Sequence, residues 1–527
     1  MEKIPAFSTT PIESIPSIVN EVRTTFRAHR TRPVEYRLKQ LRKLYWGLKD
    51  NEDLILDACK KDLGKSQFET YITEVGWCEN DIVFMCNNLE KWVKDESAPD
   101  IPLANKLFSP RIRKDPLGTV LIIGAYNFPI QLSLGPLIGA IAAGCTAILK
   151  PSENAPNASA ALAHIISTSL DPSAYACVQG GIPETTLLLE QKWDKIFYTG
   201  NATVGTIIAK KAAETLTPVT LELGGRNPAI VTKGADPRLA ARRLLWAKIL
   251  NAGQVCVSQN YILVDREILP QLVREMEAVL REFYPMGARE SPDYGRIVNK
   301  RQFQRLKKML DESSGKILLG GTMDEETLFL EPTVVQVESL EDSLVKEESF
   351  GPLIPVLPVK DLDEAIRMAN EIDDTPLGIY PFGSKAETDK VLSQTRSGGA
   401  SINDGFFHAS LPTLAFGGVG NSGQGAYRGK ASFDTFTHRR SVTTTPSWIE
   451  SMLAVRYPPY TAKKQEKFAS MSALKPNFDR EGNFKTSWVG RLLKLGAESG
   501  MGAVGRWFLV VLLAAAVRQY LQRQSRL

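Results

Sequence analysis

The sequence predicts an α/β fold built on a doubly wound parallel sheet, and three features carry that reading. Strand-length apolar runs recur between residues 119 and 225, in TVLIIGAYNFP, CTAILKPSE, AYACVQGG, KIFYTG and TPVTLELGG. Helix-length segments such as LSLGPLIGAIAAG and NASAALAHIISTSL separate them. Glycines stand at the ends of the runs, where a strand must turn towards the next helix. Runs that are apolar throughout, rather than alternating, indicate strands covered on both faces, as in βαβ units.

Each region follows from its local pattern. From Ser17 to about Lys94 apolar residues recur at helical spacing among many charges, for example Ile55, Cys59 and Leu63, which predicts a scaffold of amphipathic helices. A Pro-rich stretch, SAPDIPLANKLFSPRIRKDP, leads into the strand-rich region. Residues 226–415 repeat the alternation, with helices expected around Arg238–Ile249, Ile268–Phe283 and Lys300–Glu312, enough for a second α/β domain. After FDTFTHRRSV the chain turns polar and basic, and near its end lies WFLVVLLAAAV, Trp507–Val517, between Arg506 and Arg518.

Bulk properties narrow the class. At roughly 100–200 residues per domain, 527 residues make about three structural units. With 43% hydrophobic and 23% charged residues, wholesale disorder, collagen-like repetition and a polytopic membrane protein are excluded. The six cysteines contain no C-x-x-C pair and the four histidines show no ligand spacing, so neither a disulfide framework nor a metal site is indicated. The first residues, MEKIPAFSTTPIESIP, read as neither a secretory signal nor a transit peptide. The net charge of +5 is unevenly spread: residues 451–527 carry 13 lysines and arginines against 4 acids, and the preceding 450 carry 51 against 55. The main body therefore has no basic bias to suggest a nucleic-acid partner.

Three segments have residues suited to chemistry. In NAGQVCVSQN, Cys256 sits among small polar residues after Gly253; a lone cysteine is also a common core residue. A nucleophilic thiol needs a polar or electropositive pocket that favours the thiolate. In TPVTLELGGRNPAIV, Glu222 ends an apolar strand ahead of Gly224 and Gly225, where open α/β sheets bind ligands. Taken alone, a structural ion pair explains it better; partly desolvated, it suits a general base. In KIFYTGNATVGTIIAKKAA, Gly200 and Gly205 bracket the start of a helix, and such spacing lets backbone N–H groups approach a pyrophosphate. By itself this also fits an ordinary strand-to-helix turn.

In combination the motifs are specific. GAYNFP, ILKPSE, FYTGNATVG, LELGGR, GQVC, EESFGP and FGGVGNSGQGAYRGKASFDTFTHRR follow one another as in the aldehyde dehydrogenase superfamily, and the last, with TPVTLELGG, resembles its class 3 branch, including fungal membrane-associated members. The resemblance covers roughly residues 17–460. It implies an aldehyde dehydrogenase-like fold: residues 1–223 a helical scaffold and variant Rossmann cofactor domain, 224–415 a second α/β domain with the nucleophile, and 416–450 a return and oligomerisation segment. It further implies Cys256 as nucleophile, Asn127 as oxyanion donor with the Cys256 N–H, and Glu222 as the base for deacylation. Lys150 and Glu153 would contact the adenosine ribose, and Gly200 and Gly205 the pyrophosphate. Glu348 would hold the nicotinamide ribose, Phe350 would pack by the ring, and Asn403 would lie near the substrate and cofactor end. NAD is expected as cofactor with NADP tolerated, because Glu153 should accept both ribose hydroxyls and repel a 2′-phosphate. Ser349 replaces the aliphatic residue usual between Glu and Phe in EESFGP, with little effect expected.

The tail suggests where the enzyme works. As a helix the 11 residues of WFLVVLLAAAV reach about 16 Å against a hydrocarbon core of about 30 Å. They cannot span a bilayer unaided, but a 20-residue stretch, Gly502–Leu521, with Arg506 and Arg518 snorkelling, is long enough. Upstream, Trp488, Leu492 and Leu495 share a helical face, as in an interfacial helix. Residues 451–500 are thus expected to form a basic tail with a gating helix, and 501–527 to anchor the enzyme to an anionic membrane with its catalytic part in the cytosol, on the endoplasmic reticulum, the mitochondrial outer membrane or a lipid droplet. The alternative is a helix docked on the enzyme body or a dimer partner. A membrane-held enzyme meets apolar aldehydes, so fatty and isoprenoid (apocarotenoid) aldehydes are the expected substrates, and family likeness implies a homodimer. Competing readings are a coenzyme A-acylating dehydrogenase, a cysteine hydrolase and an inactive membrane scaffold.

Overall fold

Four long helices precede the first buried strand: α1 (Ile15–Arg27), α2 (Val34–Asp50), α3 (Glu52–Leu63) and α4 (Gly76–Trp92). Each buries one stripe, as its three-to-four-residue apolar spacing requires; in α3 the stripe is Leu54, Ile55, Ala58, Cys59 and Leu63. Gly64 then ends α3 at φ 66°, a left-handed cap that glycine adopts without a Cβ penalty. This is a computed structural model, and it describes residues 4–472, 474, 476–484 and 512.

The first sheet has strands β1 (Thr119–Ile123), β2 (Thr146–Lys150), β3 (Tyr175–Cys177), β4 (Lys195–Thr199) and β5 (Val219–Glu222). Their order is β5-β4-β1-β2-β3, all parallel, with the short strand Gly423–Gln424 antiparallel on β5. The intervening helices are α5 (Gln131–Ala143), α6 (Pro156–Ser169), α7 (Ile182–Glu190) and α8 (Ala202–Ala213). Along β1 the side chains alternate between two cores: Val120 and Ile122 pack with α2, α4, α5 and α6, whereas Leu121 and Ile123 pack with α1, α7 and α8. Helices on both faces explain why the strand is apolar throughout. The strand order reverses between β1 and β4, the switch point at which open α/β sheets bind ligands.

A second sheet collects β6 (Pro228–Val231), β7 (Tyr261–Asp265), β8 (Lys316–Leu319), β9 (Thr333–Gln336), β10 (Leu353–Val359), β11 (Gly378–Phe382) and β12 (Gly399–Ala400). Its order is β8-β9-β10-β7-β6-β11-β12, parallel except for β8. Three helices expected from the sequence are present as α9 (Pro237–Ile249), α10 (Leu269–Phe283) and α11 (Lys300–Asp311). Asp236 caps α9 by accepting the N–H of Arg238 and Leu239, and Pro237 fills the first helical position, where no donor is needed. A separate three-stranded sheet pairs Thr437–Val442 with Arg111–Pro116, and that strand with Glu96–Ser97.

These elements belong to one unit, Met1–Asp100 with Pro110–Val442; a second comprises Ile101–Ser109 and Thr443–Leu527. Within the second, Thr444 N–H donates to Phe108 C=O at 2.7 Å, and Ala462–Ser472 is helical. Among the described residues no helix is long and apolar enough to cross a membrane. The expected interfacial face at Trp488, Leu492 and Leu495 and, apart from Leu512, the anchor at 501–527 lie outside the described residues.

Candidate active site

Strand register assembles the site. Ile123 at the end of β1 pairs with Lys150 at the end of β2, and Thr199 at the end of β4 with Glu222 at the end of β5. The carboxyl ends thus form one edge, along which runs a cleft of about 620 Å³. Asn127, Lys150, Glu153, Gly200, Glu222, Cys256, Glu348 and Phe350 all line it. Gly205 does not: a Cβ there would lie 2.9 Å from Leu223 Cδ2, so this glycine lets α8 pack closely on the sheet. Asn403 lines neither this cleft nor the adjoining cavity, and its side chain instead bridges the backbone of Gly383, accepting at 2.9 Å and donating at 3.3 Å.

Cys256 is delivered by an unusual turn. After α9, Asn251, Ala252 and Gly253 take φ values of 51°, 50° and 78° in succession. Non-glycine residues seldom occupy this left-handed region, and such strain gathers at functional sites. A Cβ on Gly253 would stand 2.2 Å from the carbonyl carbon of Gly351, so backbone meets backbone there. Side-chain amides hold the turn: Gln254 Nε2 donates to the carbonyls of Asn251 and Arg296, both at 3.0 Å. Asn227, fully buried, donates to the carbonyls of Cys256 and Ser258, both at 2.8 Å. Half-buried Cys256 also lines a second cavity of about 70 Å³, walled by Trp77, Phe128, Leu132, Phe406, Phe416 and Tyr427. It therefore stands where the elongated cleft meets an aromatic cavity.

The electrostatics differ from the sequence expectation for a reactive thiol. Burial first, then the charges of Glu348 and Glu222, push the Cys256 thiol up to about 12. It faces carboxylates, not an electropositive pocket, so it rests as a neutral thiol and needs a base. Glu222, 3% exposed, has no hydrogen-bond partner for either oxygen among the described residues, and burial raises its carboxyl well above the usual range. A buried, unpaired carboxylate is costly and suits proton uptake. Asn127 Nδ2 donates to the Gln254 carbonyl at 3.0 Å, which leaves its second amide hydrogen for a ligand. Lys150 Nζ donates to Glu153 at 2.7 Å and to the Pro151 carbonyl at 3.1 Å.

Around Glu348 the structure adds a lysine that the motifs did not single out and gives Ser349 a partner. Lys248 on α9 is 2% exposed and donates to Ser349 Oγ at 3.3 Å. Burial lowers the Lys248 ammonium and raises the Glu348 carboxyl, while attraction between them works against both shifts. Ser349 is thus a polar partner in a buried charge cluster, where an aliphatic side chain would leave Lys248 without that bond. A lysine inside the apolar run LLWAKIL is the sequence signal for this cluster. Asn227 gave no comparable signal, because the strands it joins are brought together only by the fold.

Comparison with known proteins agrees with this geometry. The aldehyde dehydrogenase family model matches residues 2–442. A beta-apo-4′-carotenal oxygenase of Neurospora crassa is 51% identical over 97% of this chain and 96% of its own. A dimeric, NADP-preferring aldehyde dehydrogenase of Canis lupus familiaris is 41% identical over 86% of this chain and 99% of its own. A substrate-bound Staphylococcus aureus AldH superposes with a TM-score of 0.83 at 39% identity, covering 87% of this chain and 99% of that one. With a family match over five-sixths of its length and relatives this similar along their whole chains, the protein belongs to the aldehyde dehydrogenase family.

Proposed function

We propose that this aldehyde dehydrogenase oxidises long apolar aldehydes, fatty or apocarotenoid, to carboxylic acids with NAD, tolerating NADP. The observation that carries the reading is the place of Cys256, which borders both the elongated cleft and the aromatic cavity. The cleft suits a dinucleotide. Ile182, 80% exposed, and Val204 and Ile207 offer apolar surface on α7 and α8 for a base. Lys150 and Glu153 suit a ribose. Gly224 gives the close approach that a side chain would block, since a Cβ there would lie 2.2 Å from Glu348 Oε2. The Lys150 ammonium on Glu153 softens the repulsion of a 2′-phosphate, which supports tolerance of NADP. The canine relative's name also points to NADP.

Cys256 attacks the aldehyde carbon as its proton passes to solvent in the cleft, giving a thiohemiacetal. The free amide hydrogen of Asn127 and the Cys256 N–H hold its oxyanion. When bound in the cleft, a nicotinamide would supply the hydride acceptor needed for this adduct to become a thioester. Glu222 then deprotonates a water, whose attack frees the acid and restores the thiol. Its presence as an unpaired base favours water over coenzyme A as acyl acceptor. The aromatic walls favour an apolar chain, and the Neurospora relative's name makes a polyene aldehyde the first candidate. The dimeric canine relative supports a homodimer, and the basic tail supports attachment to an anionic membrane. The test is NADH and NADPH formation by detergent-purified protein on aldehydes from hexanal to octadecanal and on an apocarotenal. Higher kcat/KM for long or polyene aldehydes is expected; a preference for hexanal would overturn the substrate assignment.

A further inference from the structure

An oxyanion donor works only if it is held on target before charge develops, and Asn127 is held from outside the site. Its backbone carbonyl accepts Lys65 Nζ at 3.1 Å and Asn251 Nδ2 at 2.7 Å. Lys65 is fully buried and paired at 2.7 Å with Glu74, also fully buried, in the π-helical turn Tyr71–Val75. The ammonium lies 4.2 Å from the centroid of the Phe128 ring. The other Glu74 oxygen accepts the N–H groups of Ile130 at 3.1 Å and Gln131 at 2.9 Å, where α5 begins. Lys65 and Glu74 therefore grip the chain on both sides of Phe128, one at residue 127 and the other at 130–131. Glu69, in the short helical turn Gln67–Thr70 that leads into the π-turn, accepts the Asn251 N–H at 2.7 Å. One buried network thus ties the loop bearing Asn127 to the turn that delivers Cys256.

None of Lys65, Glu69 and Glu74 lines the cleft or the aromatic cavity. A buried ion pair is weak evidence for stability, because desolvation can offset its attraction. Fixing a backbone carbonyl whose own side chain acts in the site gives the pair a role that stability does not. We propose that Lys65 and Glu74 are positioning residues for the oxyanion donor, holding the Asn127 backbone so that its side-chain amide meets the oxygen of the Cys256 adduct. The inference rests on the reading of Asn127 as that donor.

The test compares Lys65→Met/Glu74→Gln, which removes both charges together, with Asn127→Ala and with the triple variant. The double variant should lower kcat roughly 10–100-fold, less than the roughly 100–1,000-fold of losing an oxyanion donor outright, and change the KM for NAD less than about twofold. Alkylation of Cys256 by iodoacetamide, which needs no oxyanion hole, should keep its wild-type rate. An isotope effect from an aldehyde deuterated at C1 should rise. The triple variant should be no slower than Asn127→Ala, since the pair acts through that residue. An unchanged kcat in the double variant, or a further loss in the triple variant, overturns the proposal. If the double variant does not fold, Glu74→Gln alone, which keeps an acceptor for Ile130 and Gln131, is put through the same comparison with the same criteria. Wild-type kcat in Asn127→Ala would instead overturn the donor reading beneath it.

Discussion

Glu222 and Cys256 are both driven by burial towards their neutral forms, and this sets how each should respond to pH. For Glu222 the folded carboxyl is raised above its ordinary value of 4.5, so folding favours the proton. The stability it contributes is complete below about pH 4.5 and is lost as pH rises through the folded value. Glu222→Gln should therefore match wild type in urea midpoint at acid pH and exceed it at alkaline pH. The same substitution removes the base, so acyl-enzyme should accumulate after one turnover of hydride transfer, visible by mass spectrometry; only unmodified protein would contradict the role. In the wild type, deacylation-limited kcat should rise with pH as Glu222 ionises. With the Cys256 thiol at about 12, its alkylation in the cofactor-free enzyme should keep accelerating with pH beyond 9. A plateau near neutrality would show that another group stabilises the thiolate.

Among the elements, the turn between α9 and β7 governs the site. Replacing Gly253 with alanine places a Cβ 2.2 Å from the Gly351 carbonyl carbon at a residue with φ 78°. Neither backbone can yield cheaply, and the left-handed conformation alone costs a non-glycine residue about 1–3 kcal/mol. Gly253→Ala should lower kcat at least about 100-fold by misplacing the thiol, while circular dichroism shows the helices retained. Wild-type kcat would mean that the turn tolerates a different path. Much of this scale was legible in advance: α9, α10 and α11 lie where their apolar spacing put them. The run of three left-handed residues was not, because Asn and Ala at 251 and 252 carry no local preference strong enough to announce it. Contacts from Asn127, Glu69 and Arg296, distant in sequence, impose it.

For the whole molecule, chemistry and attachment should be separable. The residues lining the cleft fall between Ile123 and Phe350, and the basic apolar segment begins near residue 501. Deleting residues 501–527 should move the protein to the soluble fraction and spare its activity on hexanal, while activity on long aldehydes presented in vesicles falls. Burying 11 apolar side chains in lipid is worth several kcal/mol at about 25 cal/mol per Å², so the shift in partitioning should span orders of magnitude. A truncated protein that still pellets with membranes, or that loses hexanal activity by failing to fold, would identify the tail as a docked structural helix.

Sequence alone determined the α/β class, the strands of the first sheet and most long helices, because buried parallel strands must be apolar throughout and surface helices must show a stripe. Through its motifs it also identified the family and eight residues that line the cleft. Tertiary structure decided what local pattern cannot encode: that Gly205 serves helix packing, that Asn403 turns to Gly383, and that Ser349 faces a buried lysine. It alone placed the Cys256 thiol among carboxylates and aromatic rings and brought Lys65 and Glu74 to the carbonyl and helix start beside Asn127. Burial and hydrogen bonding between residues far apart in the chain depend on how the sheets and helices pack, and they fix the charge and aim of each group in the site.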